Sequence, residues 1–411
     1  MSTARSPRAV RMTVLATFAL LLTALVVAPL ASAGGPTWST IRKITDGGRP
    51  AAGASLSTTK SSTTRYLHAA WRKGAGEARF ARSSNGGATW TSAFSIANPE
   101  FMLGEPRIAS VSNDVWVAWV RRYEDPDTGS FGYAVLVRHN GSHGSTSGWD
   151  AAKRLTATDG NVRGANIAVT DSGASIYVTY SDLRTDTTRL KYSRNGGSTW
   201  TTVVLGEGFD EDGENVPTTL PVVGASGKNV VVAWLAAGNV ATARVSTDSA
   251  AHWSTEAIVG EGLSTAAANG GRLAVGGTGE LGPWVRVWTG GAWGTLREIP
   301  EITLGGNNAS AVELDIRVNT LGRIGAVYSA QVDVDEETAD TWEEITWFSS
   351  SNDGATWSGP TRVSRAGSET EAYNAEKPTA VWLENGRLWI SWLQEKPTAP
   401  GTYTFSIRER S

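Results

Sequence analysis

Seven short stretches of this chain alternate large apolar residues with small or polar ones: 67–71, 115–119, 176–180, 230–234, 324–328, 388–392 and, in degenerate form, 273–277. All but the last end in Trp or Tyr. A period of two marks strands whose sheets pack face to face on neighbours, and its return about every fifty residues marks a repeat architecture. After each stretch the pattern predicts a further short strand and then a turn.

The turn recurs four times, as SSNGGATW (83–90), SRNGGSTW (193–200), STDSAAHW (246–253) and SSNDGATW (350–357). In the consensus SxDxGxTW the Asp or Asn side chain bonds turn amides, Gly accepts a positive φ and Trp opens the next strand. Outer strands are expected to begin at Trp38, Trp90, Trp149, Trp200, Trp253, Trp293 and Trp357. The first has no inner strands before it, and the last inner strands, KPTAVWL, LWISW and TYTFSIRE, run to Ser411 with no outer strand after them. The two ends complete each other. The expected fold is all-β: a seven-bladed β-propeller of four-stranded antiparallel blades, closed by pairing of the segment from Trp38 to Thr45 with the C-terminal blade, with six blades as the alternative count. Tryptophans in the two repeated columns are read as core. Trp284, Trp288, Trp342, Trp347 and Trp382 fall outside the columns, and Trp342, in an acidic insertion, is the candidate for an exposed sugar-stacking residue.

The front end has a different pattern. Arg5, Arg8 and Arg11 precede an apolar run over 12–30 and the small-residue sequence ASAG, which reads as a secretion signal peptide over 1–33, with the propeller over 34–411. Loss of those three arginines takes the formal charge from −3 to −6. An acidic chain is not expected to bind nucleic acid, and after signal cleavage no membrane contact is expected. The expected product is a secreted, extracellular monomer. The absence of cysteine excludes disulfides, thiolate metal sites and a cysteine nucleophile, so stability must come from packing. With 4 histidines and no cysteine, zinc is not expected. No cofactor is expected, except that the acidic stretches 209–214 and 332–337 could offer oxygen ligands to calcium.

The turn motif and strand order together resemble the Asp-box, or BNR-repeat, propellers of the sialidase-like superfamily, over nearly all of 36–411. In that family the boxes lie at the blade periphery, so the resemblance implies a structural role for the four turns here. It implies a glycan-directed function. The family's enzymes hold a substrate carboxylate with three arginines and use a Tyr activated by Glu as nucleophile with an Asp acid/base. Arg49, followed by Pro50 in GGRPAAG, stands where the family's first arginine motif would fall.

In a four-stranded blade, the connections between blades and the loops between second and third strands open on one face, opposite the recurring turns. That face gathers two long loops, 121–132 and 331–344, and polar interblade connections. The connections supply a candidate ligand-binding set of Arg49, Glu105, Arg107, Arg163, Asn166, Asn215, Asn307, Asn308, Asn374, Glu376 and Lys377. Convergent polar groups in a concavity are the usual setting for a ligand. Three arginines from successive connections, Arg49, Arg107 and Arg163, could grip a carboxylate or other anion bidentately. The competing expectation is that they form interblade ion pairs with Glu105, Glu214 and Glu376. For catalysis the candidate pair is Tyr373 as nucleophile with Glu214 as its base. The reading is a secreted propeller binding an extracellular glycan or other anionic ligand on its cup face. Its alternatives are an exo-sialidase or related glycoside hydrolase, and a structural or protein-binding propeller.

Overall fold

The computed structural model describes residues 38–44, 50–74, 76–97, 101–170, 173–207, 221–304, 307–335, 340–364, 374–382, 386–396 and 399–410. The expected signal segment, Arg49, Glu214, Asn215 and Tyr373 lie outside them. The described strands form seven antiparallel sheets, and six or seven blades is decided in favour of seven. Blade 1 runs Pro50–Lys60, Arg65–Lys73, Glu77–Ser83 and Phe94–Ser95 from the axis outward. Blades 2, 3 and 4 repeat that order from first strands Met102–Val111, Val162–Val169 and Val222–Ser226. In blade 5 the first strand is Thr265–Asn269 and the outer strand is split into Ala292–Trp293 and Arg297–Glu298. Blade 6 adds Ile302–Leu304 beside its first strand Asn307–Val318.

Blade 7 contains Ala375–Trp382, Leu388–Lys396 and Ala399–Arg410, and its outermost strand is the N-terminal Arg42–Lys43. Arg42 pairs with Ile407 and Lys43 with Ser406, while a further bridge joins Trp38 to Arg410. Ser39 N donates to Glu409 O at 2.8 Å and Ile44 N to Phe405 O at 2.8 Å. The ring therefore closes without covalent help.

Period-2 alternation sends each strand's side chains to two different interfaces, and the buried apolar residues form seven clusters, each shared by consecutive blades. On the second strand of blade 2, Val115, Val117 and Trp119 face blade 1, whereas Trp116, Ala118 and Val120 face blade 3. The aromatics that end the second-strand pattern all point to the preceding blade, Trp71 closing the ring against Trp389 and Phe405 of blade 7. Trp284 and Trp347, which fit neither column, are also buried core. Trp342 lies on Asp340–Ser350, with its side chain outside the described residues.

Each recurring turn joins the third strand to the fourth, and its chemistry repeats nearly atom for atom. In the last copy Ser350 Oγ donates to Asn352 Oδ1 at 2.9 Å, Gly354 N to Ser350 Oγ at 2.9 Å and Thr356 N to Asn352 Oδ1 at 2.9 Å. In the third copy Asp248 takes the Asn role and Ala250, at φ 67°, the Gly role. These turns press on the preceding blade: a Cβ on Gly197 would lie 2.5 Å from the Trp116 ring.

Candidate functional site

First strands run from the face of the interblade connections toward the face of the recurring turns, so their N-terminal ends ring the cup mouth and their C-terminal ends the far opening. Between them lies an axial cavity of about 590 Å³, walled by first strands of every blade. Its far half is lined largely by small and apolar residues such as Val169, Ala225, Ala268 and Val381, with Arg317 among them, and its cup half gathers Glu105, Arg107, Glu313 and Lys377 beside apolar Val222, Leu263 and Val312. The charge distribution makes the cup mouth the candidate site.

The pairing of first and second strands is irregular near the cup end in blades 1, 2, 3, 6 and 7. Such bulges re-aim side chains. In blades 2 and 3 glycines carry the positive φ, Gly104 at 76° and Gly164 at 58°. In blade 7 a lysine does so: Lys377 has φ 55°. A side chain in that region costs on the order of 1 kcal/mol, and such strain concentrates at ligand sites. Here it sends the Lys377 ammonium across the mouth to Glu105 Oε1 on blade 2, at 3.1 Å, with blade 1 lying between the two blades in the ring. Glu105 Oε2 also meets Arg107 Nη2 at 3.2 Å. The Lys377 backbone N–H donates to Glu313 Oε2 of blade 6. Burial lowers the Lys377 pKa, but Glu105 and Glu313 more than offset it and hold the ammonium above its ordinary value. Burial pushes the Glu313 carboxyl up against the opposing pull of Lys377.

Below this layer Asp315 joins three blades. It accepts from Thr265 Oγ1 of blade 5 at 2.9 Å and from Thr379 Oγ1 and Ala380 N of blade 7 at 3.2 and 2.8 Å, and pairs with Arg317 at 3.0 Å. With its oxygens so used, Asp315 reads as a structural pin.

A second polar group lies in the cup-side seam between blades 6 and 7. Ser329 Oγ is 3.2 Å from Glu343 Oε2 and 3.0 Å from Ala375 O, and the Tyr403 hydroxyl bonds to the Glu376 carboxylate. Burial first, then the negative charge of Glu376, pushes the Glu343 carboxyl up to about 7. Burial and the neighbouring carboxylates also raise the Tyr403 phenol, which is therefore a hydrogen-bond donor and not an ionised nucleophile.

The sequence candidates thus divide. Glu105, Arg107, Asn166 and Lys377 are brought together on the cavity wall. Glu376 belongs to the seam, Asn374 stands at the cup end of blade 7 with its carbonyl accepting from Glu395 N at 2.9 Å, and Asn308 is exposed beside the added strand of blade 6. Arg163 is exposed and is not part of the cavity wall. Arg107 pairs with Glu105 on its own strand, and the ion pair that spans blades at the mouth is made by Lys377. Glu313 and Asp315 escaped the reading of connections because they lie inside a strand. Their signal was present: Glu313, Asp315 and Arg317 alternate in NNASAVELDIRV, which places three charges on one strand face. Among the described residues no group of three or more His, Cys, Asp or Glu could hold a metal ion. The stretch 209–214 and residues 336–337 lie outside them.

No protein-family model matches this chain, and no curated protein sequence matches it. Solved structures do. An ulvan lyase of polysaccharide lyase family PL25, bound to -[GlcA(1-4)Rha3S]-, is similar at TM-score 0.55 and 11% identity, over 88% of this chain and 94% of the lyase. A second structure of a PL25 ulvan lyase gives TM-score 0.53 at 11% identity, over 88% of this chain and 95% of the other. Trypanosoma rangeli sialidase is similar at TM-score 0.50 and 11% identity over 90% of this chain, which spans 59% of the sialidase chain. The likeness shows a shared propeller fold, and the class of this protein is a seven-bladed β-propeller.

Proposed function

We propose that this chain is an exported propeller of the Asp-box type that binds an extracellular acidic glycan at the cup-side mouth of its axial cavity. The observation that carries this reading is the strained Lys377, held at positive φ so that it and Arg107 share one carboxylate, Glu105, at the open end of the cavity. Both cations remain partly exposed at the mouth, where a sugar carboxylate or sulfate could engage Arg107 in its planar, two-pronged manner. The fold shared with a lyase and a sialidase that act on acidic sugars supports the substrate class as analogy. Export rests on the signal-like residues 1–33, and N-terminal sequencing of the secreted protein is expected to begin at Gly34. A protein that retains Met1 in a membrane fraction overturns export.

Calorimetric titration with galacturonate and sialic acid tests the site. Native protein is expected to bind an acidic sugar, Arg107→Ala to lose at least about tenfold in affinity, and Arg107→Lys to recover only part of it. Affinity unchanged in Arg107→Ala overturns the reading.

The seam favours one specific second reading, glycoside hydrolysis. A carboxyl raised to about 7 is suited to general-acid work, and Glu343 lies beside the Tyr403–Glu376 pair. Glu343 is the general-acid candidate on described geometry, with Tyr403 and Glu376 as its hydrogen-bonded surroundings, Tyr373 and Glu214 being outside the described residues. Aryl glycoside turnover lost in a folded Glu343→Gln protein supports hydrolysis, and no turnover of any aryl glycoside removes it.

A further inference from the structure

Two large aromatic side chains among the described residues are strongly exposed, Phe101 at 54% and Phe131 at 49%, and both flank the same group. The Arg122 guanidinium carbon lies 3.7 Å from the Phe101 ring centroid and 4.1 Å from that of Phe131. Both exposed rings thus lie within cation–π range of the one guanidinium. Three segments converge here: the connection from blade 1, the end of the second strand of blade 2 and the start of its third. All open on the cup face. Arg122 N donates to Phe101 O at 2.9 Å, which fixes the connection against the strand. Among the described residues the guanidinium has neither an ion pair nor a hydrogen-bond acceptor. The nearby loop carboxylate of Asp125 is turned onto its own backbone, accepting from Asp127 N at 2.9 Å.

We propose that Phe101, Arg122 and Phe131 form a second subsite on the rim of the cup, which binds a further residue of an acidic polysaccharide chain whose first residue occupies the axial mouth. This rests on the acidic-glycan reading of that mouth. A phenyl face presents the apolar surface on which a pyranose ring stacks, and the guanidinium, with no acceptor among the described residues, has paired N–H donors to offer a carboxylate or sulfate. The combination specifies an acidic sugar, because a neutral one leaves the guanidinium edge without a charged acceptor. Phe101 and Glu105 are four residue steps apart, an extended reach of at most about 14 Å. A chain of a few sugar units spans that distance, so one oligosaccharide can engage the rim and the mouth together. Stacking on planar, already ordered side chains costs little conformational entropy.

The test compares galacturonate with its hexasaccharide, a sulfated dextran hexasaccharide and neutral dextran hexasaccharide, by calorimetry on the full-length exported protein. Phe101→Ala, Phe131→Ala and Arg122→Ala are each expected to weaken binding of an acidic hexasaccharide by about two- to tenfold, and Arg122→Lys by less than Arg122→Ala. The monosaccharide is expected to bind all four variants as it binds the native protein and to lose affinity in Arg107→Ala, with unchanged melting midpoints showing that every variant is folded. Hexasaccharide affinity untouched by the rim variants overturns the subsite and leaves the axial site standing. Rim dependence without any effect of Arg107→Ala overturns the axial site and leaves the rim. Neutral dextran bound as tightly as the acidic chains overturns the charge requirement, and native protein that binds neither acidic chain overturns both proposals.

Discussion

Glu343 carries the clearest consequence at the scale of single residues. Its pKa is raised from the ordinary 4.5 to about 7, by burial first and by Glu376 next, and burial raises Glu344 to about 7 as well. A carboxyl raised on folding keeps its proton in the native state at pH values where the unfolded chain has released it. Between pH 4.5 and 7 these two carboxyls therefore bind more protons in the native state than in the unfolded one, and their contribution to stability falls as pH rises through that window, whereas buried His68, lowered from 6.5 to about 3, contributes stability that rises with pH up to about 6.5. The carboxyl is isolated by difference: in thermal melts across the window, the midpoint of native protein relative to Glu343→Gln is expected to fall as pH rises from 4.5 to 7 and to level above it. A midpoint difference that does not change through the window contradicts the burial of Glu343. Lys377 makes the complementary point. Its residue type was visible as one polar member of AYNAEKP, but its left-handed backbone and its reach to Glu105 depend on a bulge and on a blade that is distant in sequence.

Among the elements, the recurring turn was the most legible, because its constraints are local. Ser, Asn or Asp, Gly and Thr act within seven residues of one another, so their spacing specifies the hydrogen bonds directly. Asn352→Ala removes the acceptor of Thr356 N and is expected to cost about 1 kcal/mol, measured by denaturant unfolding, with glycan binding unchanged. Loss of binding in that folded variant would move the functional face to the side of the turns. Gly197→Ala is expected to be worse, at about 2 kcal/mol or more, because φ is +80° and the new Cβ meets Trp116 at 2.5 Å. If it costs no more than Asn352→Ala, the turn does not press on the preceding blade as described.

For the whole molecule, closure is the governing event. Seven apolar interfaces hold the ring, and the one between blades 7 and 1 depends on a strand supplied from the other end of the chain. Deleting residues 38–44 removes the partner of Ala399–Arg410 along Ile407 and Ser406 and exposes a sheet edge together with the apolar side that Ile44 covers. A lowered melting midpoint and concentration-dependent aggregation are expected, read by scanning calorimetry and light scattering. An unchanged midpoint would mean that the ring is held by its apolar interfaces alone.

The sequence by itself determined the inner strands, the turns and the mode of closure, while the structure decided seven blades over six and the split or added strands of blades 5 and 6. Each of these is written in short-range periodicity or in a repeat, and a propeller packs every blade against its sequence neighbours, so local patterns propagate to the global fold. The polar candidates Glu105, Arg107, Asn166 and Lys377 were legible for the same reason, since interblade connections lead into the first strands that wall the axis, although Arg163, Asn308 and Glu376 from the same connections do not reach the cavity wall. Only the tertiary structure decided which charges meet. The ion pair of Lys377 with Glu105 joins residues 272 apart, Asp315 reaches Thr265 and Thr379 on two other blades, and Phe101, Arg122 and Phe131 come from three segments of the cup face. Side-chain electrostatics depend on distances of a few ångströms across the ring, and those distances are set by blade tilt, bulges and backbone handedness, not by spacing along the chain.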